Sequence, residues 1–503
     1  MLLPEDAAQL TSLPLEIREK PAQEVINYVF DLVKASAAVP LFRTKLMVVG
    51  YEKVGKTSLL EHLFPSTTTS PVTLSISSSS STPAITTEVL RHVTLKLVGK
   101  ELLIFDSPAT TNTTATTKLN LKEGKWTITS SPNTSSSSHQ LTVELCQQQQ
   151  QGESKNHRTF TFTFTNKSDG DEFAQRLKRI TGDERTHGID IRKQEIPVTI
   201  PSESGSLKRR QETLEASVWD FAGQHSYYHN HHYFLSARSV FLVVWNVLKG
   251  QEGVDGLEFW LKSLKTHLPA TTSASTSASK PQQPQQQLLY SIIVVGTHID
   301  GLVDAEKMRP LRKQQLRELF EVKCEMGAVP FEYVEVSNQS GANIDDLHSV
   351  IIELALSHSD MGELIPQSYL KVESVVMKLR EEKRLQQQKG DDVLPIVSLK
   401  NEFLPRVKRE FGKGVDDSAA ECLRALGLLH VWGACVHFDD SSLMSEYVVL
   451  DPTFLTQEVM TSLFHPDCAG FLKNGKLLHK QLRVIWPKDE QQAEFLMSLM
   501  EKV

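Results

Sequence analysis

Gly50-Tyr51-Glu52-Lys53-Val54-Gly55-Lys56-Thr57 sets two glycines, a lysine and a hydroxyl at the spacing of a phosphate-binding loop. The glycines let the backbone wrap a polyphosphate, so that successive N–H groups and a helix N-terminus face it. Lys56 would reach the β- and γ-phosphates, the Thr57 hydroxyl would ligate Mg²⁺, and Ser58 counts among the nucleotide-binding residues. Two elements must hold this loop. Lys45 to Val49 reads as a buried strand before it, and Ser58 to Phe64 as the start of a helix after it. The competing reading is a plain glycine turn between a strand and a helix.

Further along, Val218-Trp219-Asp220-Phe221-Ala222-Gly223-Gln224 is an apolar strand ending in Asp-x-x-Gly. It places the Asp220 carboxylate at a Mg²⁺ shell and the Gly223 amide beside a terminal phosphate. Gln224 stands where an amide would orient an attacking water, a reaction that needs positioning and charge stabilisation more than covalent help. Ser239 to Asn246 and Leu288 to Val295 read as buried parallel strands. The second leads into Gly296-Thr297-His298-Ile299-Asp300, and Asp300 can accept both N1–H and N2–H₂ of guanine, donors that adenine lacks. Phe331 to Val336 reads as a last strand, ending in Ser337-Asn338.

The rest of the chain divides around this set. Residues 1–38 carry Leu10-Thr11-Ser12-Leu13-Pro14-Leu15-Glu16-Ile17, spaced like part of a leucine-rich repeat, then an amphipathic stretch from Ala22 to Ala35. One repeat cannot bury its own face, so this is either the end of an array or a cap helix. Residues 67–180 interrupt the phosphate-loop domain. Polar tracts, Ser66 to Ser70, Ser77 to Ser81 and Gln147 to Gln151, read as solvated linkers. Between them lie strand patterns at 93–97, 102–105, 126–128, 141–145 and 159–164, then a helix from Asp169 to Ile180. This insertion resembles a pleckstrin-homology barrel, or is a strand-rich, partly disordered segment of no defined fold. Thr271 to Gln287 reads as a disordered loop.

The bulk properties exclude several classes. Over 503 residues the net charge is −7 with no long basic run, so no nucleic-acid partner is expected. Five scattered cysteines without CxxC spacing predict reduced thiols, and no stretch has the apolar length of a membrane span. The chain reads as cytoplasmic, and nothing in the insertion argues for membrane contact. His225, His229, His231 and His232 invite a zinc site, but the aromatics among them favour an ordinary switch helix. Lys208-Arg209-Arg210 reads as a solvated loop face. Val372, Val375, Val376 and Leu379 predict an amphipathic helix within 371–384.

The order of phosphate loop, WDFAGQ and THxD, with apolar strands between, resembles the Roc (Ras of complex proteins) GTPase domain. Leu364 to Tyr369, Leu423 to His430, Val448 to Leu455 and Gly475 to Leu477 leading to Ile485-Trp486 resemble the first part of a COR (C-terminal of Roc) domain. The resemblance implies an α/β, phosphate-loop, Ras-like fold with a mostly parallel sheet over 39–66 and 181–360. An α+β COR domain would follow over 361–503. It places Thr186 on the first switch loop, closing onto Mg²⁺ and the γ-phosphate, with Lys56 and Gln224 as its catalytic companions. Thr297 and His298 replace the usual Asn and Lys, which weakens base stacking, and Ser337-Asn338 match the last guanine-contacting loop. GTP or GDP with Mg²⁺ would be bound, and nucleotide state would control a homodimer through COR and unidentified protein effectors. No HRD or DFG loop is present, so no kinase is expected in this chain, and its end within COR implies a truncated product. A nucleotide-binding scaffold with little turnover and an ATP-using signalling NTPase are the competing readings.

Overall fold

The computed structural model describes residues 13–18, 20–34, 38–67, 72–79, 86–98, 101–106, 117–120, 125–132, 139–146, 157–164, 169–170, 173–174, 176–178, 189–201, 209–223, 234–236, 238–268, 290–389, 393–411, 418–438, 443–455, 459 and 490–502. Among them, six strands form the central sheet. They are β1 (Arg43–Val49), β2 (Ile189–Pro201), β3 (Arg209–Phe221), β4 (Ser239–Asn246), β5 (Tyr290–Thr297) and β6 (Phe331–Glu335). Their spatial order is β2-β3-β1-β4-β5-β6. Only the β2/β3 pair is antiparallel; the others run parallel.

Both faces of this sheet are covered, which is why β4 and β5 are almost wholly apolar and buried along their length. Helices Gly250–His267 and Ala305–Glu318 pack on one face, through Trp260, Leu264 and Leu316 against Phe241 and Val294. Helices Lys56–Leu63 and Ile344–Ser357 pack on the other, through Leu59, Leu60, Leu347 and Ile351 against Val48 and Leu242. Strand β5 runs on through Gly296 and Thr297, two residues past its expected end, because both stay paired or buried.

The insertion has a sheet of its own. Its strands lie in the order 117–120, 101–106, 86–98, 72–79, 157–164, 139–146, 125–132, each antiparallel to its neighbour. Phe160, Phe162 and Phe164 point to one side and are buried with Leu95, Ile104, Phe173 and Leu177. Two tracts expected to be linkers are strand instead: Ser66–Thr67 pairs with Leu97 and Lys96, and Ser77–Ser79 pairs with residues 157–159. Backbone pairing is indifferent to the hydroxyl side chains. Arg209 and Arg210 likewise begin β3 rather than a loop.

The N-terminal helices, Leu15–Arg18 and Ala22–Lys34, do not pack on the central sheet core. Leu13, Ile17, Val25 and Tyr28 share a core with Ile365, Tyr369 and Val372, from the stretch read from sequence as the start of COR. Strand Ala38–Leu41, whose residues 39–41 are read from sequence as the start of the phosphate-loop domain, pairs antiparallel with Glu363–Pro366. Arg424 clamps Asp31 at 2.7 Å, and the Tyr369 hydroxyl donates to Asp31 at 2.9 Å. The amphipathic helix is present as Gln367–Gln388, with Val372, Val375, Val376 and Leu379 all buried. Cys324, Cys422 and Cys435 are free and buried. Among the described residues no helix is long and apolar enough to cross a membrane.

Candidate nucleotide site

The phosphate-loop residues leave β1 at its C-terminal end and enter the helix Lys56–Leu63 through Gly55, whose φ of 91° lies in the left-handed region. A Cβ there would sit 2.6 Å from Asn338 Nδ2 and 3.6 Å from the His298 ring. The loops after β5 and β6 therefore press directly on the phosphate loop. Gly223 closes the other side, where a Cβ would lie 2.6 Å from both the Glu52 amide nitrogen and Lys56 Nζ. Four segments far apart in sequence thus meet at one end of the sheet.

Within this cradle the Thr57 hydroxyl donates to Asp220 Oδ2 at 2.7 Å. Lys56 is buried, and its ammonium donates to the carbonyls of Gly50 (2.8 Å) and Tyr51 (2.9 Å). Burial pulls the Lys56 amine down to about 8, against the opposing pull of Asp220 and Glu52. Burial likewise pushes the Asp220 carboxyl up, while Lys56, the Thr57 bond and Arg192 hold it down. A hydroxyl and a carboxylate oxygen side by side are hard donors that suit Mg²⁺.

The base end is built differently. Ser337 Oγ donates to Asp300 Oδ1 at 2.7 Å and accepts the amides of Gln339 and Ser340, so the two loops are joined at Asp300. Thr297 is fully buried, and its hydroxyl reaches the Val54 carbonyl at 2.7 Å and that of Trp245 at 3.0 Å. Asn338 donates to the Gly55 carbonyl at 2.9 Å. Thr297 and Asn338, read from sequence as base contacts, tether the phosphate loop through its backbone. The motif set of Lys56, Thr57, Asp220, Gly223, His298, Ser337 and Asn338 is brought together, and Asp300 joins it through Ser337. Thr186, Gln224 and the histidines between 225 and 232 lie outside the described residues.

Sequence reasoning missed one group here. Glu61, fully buried on the phosphate-loop helix, pairs with Arg192 of β2, which also holds Asp190 at 2.9 Å. The available signal was a charge at each of two inward-facing positions of β2, two residues apart on a strand whose later inward positions are Ile196 and Val198.

Two family models match the chain. One, described as Ras of Complex, Roc, domain of DAPkinase, covers residues 173–275; the other, C-terminal of Roc, COR-A domain, covers 410–503. The chain is 31% identical over 307 residues to the probable serine/threonine-protein kinase pats1 of Dictyostelium discoideum, a match covering 60% of this chain and 8% of that protein. It is 24% identical over 523 residues to the probable serine/threonine-protein kinase roco8 of the same organism, covering 98% of this chain and 23% of that one. The chain thus spans less than a quarter of the length of these relatives. A solved structure of Methanosarcina barkeri Roco2 RocCORdC bound to GDP is similar over 92% of each chain, at 15% identity and a TM-score of 0.47. The chain thus carries a Roc segment over 173–275 and a COR-A segment over 410–503, with the phosphate loop at 50–57 ahead of both, the arrangement of a Roc–COR (ROCO) protein.

Proposed function

We propose that the chain is a guanine-nucleotide switch that binds GTP and GDP with Mg²⁺, hydrolyses GTP, and signals through COR-mediated dimerisation and protein effectors in the cytoplasm. The observation that carries this reading is the contact of Thr57, at the end of the phosphate loop, with Asp220 of β3, with Asp300 held by Ser337 on the adjoining loop. Lys56 and the loop amides would hold the phosphates. Thr57 and Asp220 would hold Mg²⁺, which when bound neutralises phosphate charge. Asp300 would select guanine, and Thr186 and Gln224 would sense the γ-phosphate and orient water. In this reading the GTPase domain comprises 39–66 and 181–360, and COR 361–503. Residues 1–38 form a repeat-like cap, and the antiparallel order of the 67–180 insertion supports a pleckstrin-homology-like unit.

Single-turnover GTP hydrolysis tests the reading, with Lys56→Ala and Gln224→Leu as controls. Turnover by the native chain that both variants abolish is expected. Equal, negligible rates in all three would leave a binding scaffold, and displacement of bound GTP by equimolar ATP would end the guanine assignment.

A further inference from the structure

Asp190 and Asp220 are direct partners in the β2/β3 register, so their side chains leave the sheet on one face. Glu61 reaches the same face from the phosphate-loop helix. Asp220 already serves Thr57. Three carboxylates therefore crowd a pocket that has to admit a polyphosphate, itself an anion. The group that makes this tolerable is Arg192, two residues beyond Asp190 and on the same face. Its Nη1 donates to Glu61 and its Nε to Asp190 at 2.9 Å, and the side chain is only 7% exposed. Buried carboxylates persist only when paired in this way. None of the nucleotide motifs contains Arg192.

We propose that Arg192 is a positioning residue that keeps Glu61 and Asp190 bound to itself and away from the metal, leaving Asp220 and Thr57 to face Mg²⁺ and the phosphates. This rests on the guanine-nucleotide reading above. Removing the guanidinium takes away the cation that offsets these two carboxylates next to the site. The extra negative charge holds a divalent cation more tightly and repels a nucleotide that arrives without one.

The test follows release of a fluorescent GDP from the full chain as Mg²⁺ is varied. It compares the native protein, Arg192→Gln, Arg192→Lys and the double variant Glu61→Gln with Arg192→Gln. Arg192→Gln should lower the Mg²⁺ midpoint about tenfold and speed release in chelator about tenfold, as loss of one charge within roughly 10 Å implies. Arg192→Lys should stay near the native midpoint. The double variant, which removes a carboxylate along with the cation, should lower it only about threefold. A residue that merely holds the fold would speed release at every Mg²⁺ concentration and leave the midpoint in place. That result, or a raised midpoint, overturns the proposal. Should Arg192→Gln fail to fold, the lysine and double variants carry the test, and equal midpoints in both overturn it. A native chain that takes up no fluorescent GDP overturns the guanine reading and this inference with it, whereas an unshifted midpoint overturns this inference alone.

Discussion

Two buried arginines organise this molecule, and they solve different problems. Arg192 stands beside the phosphate loop and offsets two carboxylates contributed by one sheet and the helix packed on it. Arg238, just before β4, joins three stretches of chain. Its Nε donates to Glu16 of the N-terminal helices at 2.7 Å, and its Nη1 donates to Glu363 at 2.6 Å and lies 3.5 Å from Asp360, both on the path into COR. Arg238 also holds a φ of 61°, a left-handed conformation unusual outside glycine. One cation facing three carboxylates leaves their burial incompletely compensated. Burial pushes the Glu363 carboxyl up to about 7 despite the pull of Arg238, and pushes Asp360 up as well. Nearby Lys45 is drawn down to about 7 by burial first and by Arg238 second. Both ends thus hold groups shifted by burial, Lys56 and Asp220 at the nucleotide end and Glu363 and Lys45 at the joint, but at the joint one arginine faces three carboxylates from separate stretches of chain.

That contrast breaks most severely at Arg238. Arg238→Gln leaves two buried carboxylates, Asp360 and Glu363, and the half-buried Glu16 without their arginine and should cost about 3–5 kcal/mol in chemical denaturation. It should also expose the helices at 15–34 to proteolysis. A loss under about 1 kcal/mol would mean the cluster does not hold the joint.

His358 offers a pH handle on the same joint. It is buried, its Nε2 lies 2.8 Å from Ser291 Oγ, and desolvation draws its imidazole down to about 4 from an ordinary value of 6.5. Between those values the unfolded chain takes up a proton that the folded chain refuses, so stability falls as pH falls, by about 3 kcal/mol in all. His358→Gln should flatten that limb of a stability-versus-pH curve, and an unchanged slope would acquit His358.

The tethers sharpen the other side of the contrast. Thr297→Val or Asn338→Ala should each cost only about 1 kcal/mol of stability yet quicken GDP release about fivefold. Release is read by stopped flow, and unchanged rates would show the phosphate loop is held elsewhere. Smallest of all is Lys262→Ala, which breaks an exposed i,i+4 pair with Glu258. No measurable change in melting temperature or nucleotide release is expected.

Much of the fold was legible because β4 and β5 are buried on both faces and carry unbroken apolar runs. The helix 367–388 announced itself through Val372, Val375, Val376 and Leu379 at helical spacing. Ser66–Thr67 and Ser77–Ser79 did not, since a strand of serines draws its order from the backbone of its partner. Lys56, Thr57, Asp220 and Gly223 were legible because their spacing is set along the chain. For Thr297 the motif position was clear, but the acceptor of its hydroxyl, the Val54 carbonyl, lies 243 residues away and no local pattern points to it.

Read by itself, the chain determined which reactive groups exist and in what order they arrive, because local spacing and hydrophobic period are written in neighbouring residues. Tertiary structure alone decided that Glu61 meets Arg192, that Glu16 and Glu363 meet Arg238, and that the N-terminal helices share a core with residues 365–379. A charge can be buried only where its counterion is also delivered, and that counterion comes from a distant element whose arrival no local pattern records.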